Sequence, residues 1–390
     1  MQVRIVDREL VAIPGTRELG DFLPDQLERL QQDIAQEADM ARKFMRMFFL
    51  FQSLSLDEFA VEMQQKALAI ERSYRLLAPV APRLRVLALA GPGTMSDNAP
   101  LDYVLFDQNI QLDVFYFDEQ IHGDIEVPEH DVALLVLGES DKNNPILDII
   151  EKYRGIWPRA FLNHSQGIKL CARDRLYELF KSQKSLIIPH TRRVSLANVQ
   201  WEAFPYLIRP VDTHAGDGFF KIDNKIQREE FLQAHRNEFY YASQYIDYSQ
   251  EDGLFRKMRI ALIDRKPYIC HCAIDHQWMV HYQSAHMELS SEKRNEEARF
   301  MAEFKTHFVA RFGAALQLIA DQIDLDYVVL DCAVDRMGKL VVFEADNRGW
   351  IHAVDSADIY PYKQPVMQQA FDAFIAMLQK AVDSFAALNM

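Results

Sequence analysis

Apolar residues at Leu27, Leu30, Ile34, Ala38, Ala41, Met45 and Phe48 recur at three- and four-residue spacing, the mark of a helix buried along one face. Ser55 with Glu58 three residues on predicts a capping box that opens a second helix, with Phe59, Met63, Ala67, Ile70 and Tyr74 on its inner face. Residues 25–78 therefore read as helical. The Pro-rich stretch APVAPR ends them and sets a module boundary near residue 82.

The pattern then changes to short continuous apolar runs at 86–90, 112–117, 132–138 and 160–163, with a helix expected at 146–153. Such runs predict a parallel sheet covered on both faces. Gly91, Pro92 and Gly93 follow the first run, where open sheets place ligand sites, though a tight turn explains them equally. Beyond residue 168 the pattern predicts a helix at 169–182, strands at 185–189 and 206–209, a Gly-containing loop and a helix at 228–237. Strands follow at 240–246, 258–264 and 268–274, then a helical stretch at 291–322. A hairpin of 327–334 and 339–344 turns at Met337-Gly338, and an amphipathic helix at 364–387 comes last. The fold class is thus α/β followed by α+β. Three modules are expected: helical 1–82, an open parallel-sheet domain 83–164, and 165–390 as two small lobes, about 165–247 and 248–390.

A length of 390 residues accommodates several cores, and 49% hydrophobic with 26% charged residues is ordinary for globular proteins. No apolar run approaches the ~18 residues of a membrane span, and the first residues, MQVRIVDREL, show no secretory core. Four cysteines without a spaced framework fit a reducing cytoplasm. A net charge of -14 disfavours nucleic acid and membrane surfaces as partners, since both are anionic. Within that acidic chain, residues 154–193 carry nine Lys or Arg against Asp174 and Glu178. The island points to a small polyanion, or else to a solvated helix face.

The richest chemistry lies in VVFEADNRGW, residues 341–350. Glu344 and Asp346 share one strand face because side chains alternate. Asp331 ends the other arm of the hairpin and is expected opposite Glu344. Hard oxygen ligands in that number suit Mg2+, which is usually held by one or two carboxylates together with substrate phosphates. Solvated strand-end acids are the alternative reading.

The order of motifs is specific: DR at 174–175, YLIRP at 206–210, THAGDGFFKI at 213–222, SQYID at 243–247, RKMRIALID at 256–264, then Asp331 and FEADN. Over residues 165–390 this order resembles the ATP-grasp superfamily of carboxylate-amine ligases, and 83–164 looks like the open-sheet domain that precedes it. GESDKNNP, WPRAFLN, SQYIDYSQEDGLFRKMRI and HCAIDHQWMVHY are similar to bacterial ATP-grasp proteins often found with tetratricopeptide repeats. Residues 1–82 lie outside the likeness and show no repeat signature.

The resemblance implies ATP and Mg2+ as cofactors. It implies an acyl phosphate intermediate, and a small-molecule or peptide carboxylate with an amine co-substrate as partners. Arg175 and Arg209 stand where the superfamily usually has phosphate-binding lysines; a guanidinium keeps the charge and adds forked hydrogen bonding. Gly216 and Gly218 would let backbone amides fold over the phosphates, with Asp217 between them. Gln244, Tyr245 and Ile246 match the adenine-binding hinge, and Asp247 the ribose contact. Lys257 and Arg259 share a strand face, and Arg259 matches the arginine that steadies the transferred phosphoryl group and the acyl phosphate. Asp331, Glu344, Asp346 and Asn347 form the implied metal set, with Asp346 where an Asn is commonest.

His271, Trp278, His281, His286 and His352 are the expected lining of an acceptor pocket, with structural histidines as the competing explanation. Zinc is disfavoured because Cys270 and Cys272 lie on one strand face and His271 on the other, without CxxC spacing. Two other functions keep the fold: a nucleotide-sensing or partner-binding protein, and a kinase that stops at phosphoryl transfer. Residues 1–82 are available for a peptide, a cover over the site or a homodimer contact.

Overall fold

The computed structural model describes residues 1–15, 17, 24–195, 203–213, 218–235 and 239–389. Gly216 and Asp217 of the predicted loop lie outside them, as do the side chains of Leu27 and Leu30.

The strands, in chain order, are β1 (Val3–Val6), β2 (Val11–Ala12), β3 (Ser73–Leu77), β4 (Leu84–Ala90), β5 (Ile110–Tyr116), β6 (Ile125–Pro128), β7 (Val132–Leu135), β8 (Ala160–Leu162), β9 (Leu186–Ile187), β10 (Thr191–Ser195), β11 (Tyr206–Pro210), β12 (Phe220–Ile222), β13 (Phe239–Gln244), β14 (Phe255–Ile263), β15 (Lys266–Asp275), β16 (Tyr327–Val334) and β17 (Leu340–Asp346). Three main sheets result. The first has order β2-β3-β5-β4-β7-β8, and β5, β4, β7 and β8 run parallel. Alternate residues of β4 enter different cores, Leu87 and Leu89 on one face and Val86, Ala88 and Ala90 on the other. That is why its sequence reads as an unbroken apolar run.

The N-terminal segment departs from the helical expectation. Helices Pro24–Gln36, Met40–Ser53 and Asp57–Leu68 form, but Tyr74 is buried on strand β3, and β2 and β3 join the first sheet. Sheet and core therefore run across residue 82: Met45, Phe48, Phe49, Ala60 and Met63 cover the Val86 and Ala88 face. The capping box does not form. Ser55 takes a left-handed φ of 57°, and Leu56 becomes the cap residue, with no side-chain bond. The helix rotates accordingly, burying Ala60, Met63, Gln64, Ala67 and Leu68 and leaving Phe59 and Ile70 exposed. The Gly91-Pro92-Gly93 turn is filled by the protein itself, with Gln64 Oε1 accepting from Gly93 N at 2.7 Å and Asn98 Oδ1 from Gly91 N at 2.9 Å.

The second sheet is small and antiparallel, order β10-β13-β11-β12, with Phe231 of helix Lys225–Ala234 in its core. The third has order β15-β14-β16-β17-β9. β14 alternates: Met258, Ile260 and Leu262 join a core with Phe304, Phe308, Leu316 and Ile319 of the helical stretch 291–323, while Lys257 and Arg259 point to the opposite face. Further along, that opposite face turns apolar at Ala261, Ile263, Tyr327 and Val329 and packs against Met367, Phe371 and Phe374 of helix Lys363–Leu388. An open α/β sheet followed by two smaller α+β lobes is the class expected. No helix among the described residues is long and apolar enough to cross a membrane.

Candidate active site

Four chemically active residues form one row across the third sheet. His271 on β15 pairs with Arg259 on β14, Arg259 with Asp331 on β16, and Asp331 with Glu344 on β17. Strand spacing of ~4.8 Å makes them lateral neighbours. Asp331 faces Glu344 as expected, but through a β-bulge between Asp331 and Cys332 that shifts the hairpin's regular register by one; Gly338 supplies the positive-φ turn residue at 75°.

On one side of this row residues of both lobes line a cleft. One part of its lining is largely aromatic, with Tyr245, Ile246, Tyr248, Trp278, Val280 and Phe343, and Trp278 stands edge-on to Tyr245 at 6.0 Å. Gln244 borders this part as β13 ends. Its other part is cationic, with Arg173, Arg209, Lys257 and Arg259. Arg209 is buried and donates to the Thr213 carbonyl, with its guanidinium 5.4 Å from the Phe219 ring centre. Gly218 follows at φ 60°, its missing Cβ leaving room for the Pro210 ring.

On the other side lies a second chamber lined by His271, His352, Asp346, Arg348, Trp350, Asp355 and Lys363 among others. Lys257, Arg259, Val280, His281, Asp331 and Glu344 border both spaces.

The charges are tightly matched. Asp331 Oδ1 accepts from Arg259 Nε at 2.9 Å, and its Oδ2 lies 2.9 Å from Lys257 Nζ. Glu344 accepts from Arg173 at 2.5 Å, and Asp346 from Arg348 at 3.1 Å. Burial would raise the Asp331 carboxyl, but Arg259 and Lys257 outweigh it and hold it well below the usual range. The same burial drives the imidazoles down: His271 far below its ordinary value, with Arg259 adding to the effect, and His281 likewise, with Lys257 adding. Both shifts favour the neutral imidazole at His271 and His281.

Most expected residues come together, with some changes. Arg175 is exposed, and Arg173 reaches the cleft instead. The helix Arg173–Phe180 buries Leu176 and Phe180, and at 100° per residue Arg173 shares their face while Arg175 turns away. Asn347 is fully buried, its Nδ2 donating to the Leu137 carbonyl at 3.1 Å while its Oδ1 has no hydrogen-bond partner among the described residues. Asp247 is half exposed and accepts from Ser249 N at 3.0 Å, outside the cleft lining. Trp278 lines the cleft and not the second chamber, and His286 is exposed beside Glu288, outside both. The basic island disperses into local pairs such as Lys169–Asp148, Lys181–Glu178 and Arg193–Asp141.

Sequence reasoning missed Arg348 and Lys363. Arg348 lies across Gly138 in the loop after β7, where a Cβ would fall 1.9 Å from its Cδ, so any larger residue there would displace the arginine. Lys363 is buried with Asp355 at 3.0 Å and sits over the Tyr282 ring at 3.8 Å. The lone Lys363 at the start of an amphipathic helix gave no sign of this. All four cysteines are buried and free, and no group of three or more His, Cys, Asp or Glu among the described residues is gathered tightly enough to hold a metal by itself.

No family model and no curated protein matches the chain. Among solved structures it is similar to the D-alanine–D-alanine ligase of Bacillus anthracis complexed with ATP, at 11% identity over 79% of this chain and 100% of that one, TM-score 0.46. It is similar to the D-alanine–D-alanine ligase of Coxiella burnetii at 9% identity, covering 79% and 97%, TM-score 0.48. A RimK domain ATP-grasp protein from Sphaerobacter thermophilus is similar at 10% identity, covering 75% and 99%, TM-score 0.44.

Proposed function

We propose that this chain is an ATP-dependent carboxylate-amine ligase of the ATP-grasp type, acting on a small molecule or peptide through an acyl phosphate. The observation that carries the reading is the row His271, Arg259, Asp331 and Glu344, set where a part-aromatic, part-cationic cleft meets a second chamber. Tyr245, Ile246 and Trp278 give a purine flat apolar walls, and Gln244 at the rim supplies amide hydrogen bonding for its edge. Arg173 and Arg209 face the phosphates, in place of the expected pair of Arg175 and Arg209.

Asp331 and Glu344 fit magnesium in donor type and in number. Each carboxylate offers about four lone-pair sites, more than its present partners use. Asp346 is available from the second chamber. The ion, when bound, would neutralise phosphate charge. A substrate carboxylate in the second chamber attacks the γ-phosphorus beside Arg259, the bond to the β–γ bridging oxygen breaks and ADP leaves, and the guanidinium stabilises the charge that spreads over the phosphate oxygens. An amine then displaces phosphate at the acyl carbon and forms the amide.

Calorimetry tests the foundation: magnesium-dependent ATP binding is expected, and its absence would remove the reading. An ADP-release screen with amino acids and short peptides tests the chemistry. A nucleotide-binding protein without turnover is the second reading, favoured by the fact that every candidate metal acid already carries a cation. It predicts ATP binding with no ADP under any donor. Within the first reading, Arg173→Ala is expected to weaken ATP binding ~10-fold, the scale of one charge-assisted hydrogen bond. Arg175→Ala should stay within about twofold by the same calorimetry, since an exposed arginine facing away from the cleft contributes little.

A further inference from the structure

An amine can attack an acyl phosphate only after losing a proton, because an ammonium has no lone pair. The second chamber offers three histidines for that task, and their placements differ. His281 borders both spaces, but its Nε2 is buried without a hydrogen-bond partner, and the Nδ1 of His352 is likewise enclosed. His271 belongs to the second chamber alone and is the cross-strand neighbour of Arg259. Its ring packs 4.7 Å from the Tyr282 ring, and neither nitrogen hydrogen-bonds to a described residue.

Resting on the ligase reading, we propose that His271 is the general base that accepts the proton of the incoming amine. It stands one strand beside the guanidinium that would steady the acyl phosphate, on the side from which a second substrate must come. Charged and titratable groups facing it are Arg259 on β14, Asp331 on β16, Lys363 on the C-terminal helix and His352. Burial and Arg259 keep the ring neutral with a free lone pair at pH 7 but also weaken it as a base; the negative charge of the acyl phosphate beside it raises its proton affinity when the amine attacks.

The step balances as follows. The ammonium gives one proton to a His271 ring nitrogen, and the freed lone pair forms the C–N bond. The C–O bond to phosphate breaks, the second amine proton leaves with the phosphate, and His271 returns its proton to solvent.

Hydroxylamine separates this role from binding or folding, since it is unprotonated at neutral pH and needs no base to attack an acyl phosphate. Full-length protein with magnesium and ATP is assayed with proteinogenic amino acids and short peptides as carboxylate donors, and with either hydroxylamine or an amino acid amide as acceptor. His271→Asn, with His271→Gln as a second variant, is expected to keep hydroxamate formation within about twofold and lose amide formation ~10²-fold or more, the usual size of a general-base effect. Equal loss with both acceptors, or no loss with either, overturns the assignment while leaving the ligase intact. A wild-type protein that forms neither hydroxamate nor ADP with any donor removes the ligase reading, and this role with it.

Discussion

Asp331→Asn is expected to abolish magnesium-dependent ATP turnover, by ~10³-fold or more, because the change removes a carboxylate oxygen from the proposed metal set and unbalances the cations around it. Lys257 and Arg259 both rest on this one carboxylate, at 2.9 Å each, and all three groups are mostly buried. An amide of the same shape leaves two positive charges facing each other with one neutral acceptor. Removing one partner of a buried pair typically costs about 3 to 5 kcal/mol, so the variant should also unfold at lower urea. The sign of its pH dependence follows from the direction of the shift. Since Arg259 and Lys257 lower the folded pKa below the unfolded value, the stabilisation is complete above that unfolded value and fades only as pH falls through the folded one. The stability difference between wild type and variant should therefore be flat from about pH 5 to 8, and should shrink in acid. A variant that still turns over ATP would break the link between this carboxylate and the metal.

The same hairpin shows why part of the site was legible in sequence. Period-two alternation puts Glu344 and Asp346 on one face, but regular pairing out of the Gly338 turn would set Phe343 opposite Asp331; a β-bulge between Asp331 and Cys332 shifts the register by one and brings Glu344 there. Alternation along β14 likewise forces Lys257 and Arg259 to one side. Local rules failed where a weak element was decided by distant partners. β2 is two residues long and exists because β3 lies beside it, and β3 was hidden by a helix-like spacing that ran on through Ile70 to Tyr74. Tyr74 is in fact fully buried against the first sheet. Arg173 could have been found: counting from Leu176 and Phe180 puts it on the inner helix face, and only attention to the DR dipeptide favoured Arg175. The role of Arg348 depends on Gly138, some 200 residues earlier in the chain, and no local pattern carries that.

Arg259→Ala should give the other large loss, ~10³-fold in kcat, with ATP affinity changed much less. The reason for that split is positional. Arg259 borders the cleft and the second chamber together, whereas Arg173 and Arg209 border the cleft alone, so its interaction should strengthen as charge passes from one space to the other. Arg259→Lys sharpens the expectation. Lysine keeps the charge but cannot reproduce the forked contact, Nε to Asp331 Oδ1 at 2.9 Å and Nη2 to Oδ2 at 3.2 Å, or the bond from Nη1 to the Trp350 carbonyl at 3.2 Å. If geometry matters as well as charge, the lysine variant should recover stability measured in urea yet remain at least ~10-fold slow, because a mobile ammonium is not preorganised toward the transferring group. Full recovery of kcat by lysine would reduce Arg259 to a counter-ion for Asp331. Loss of ATP affinity as large as the loss of kcat would place it among the ground-state phosphate ligands, and the shared wall between the two spaces would then have no part in catalysis.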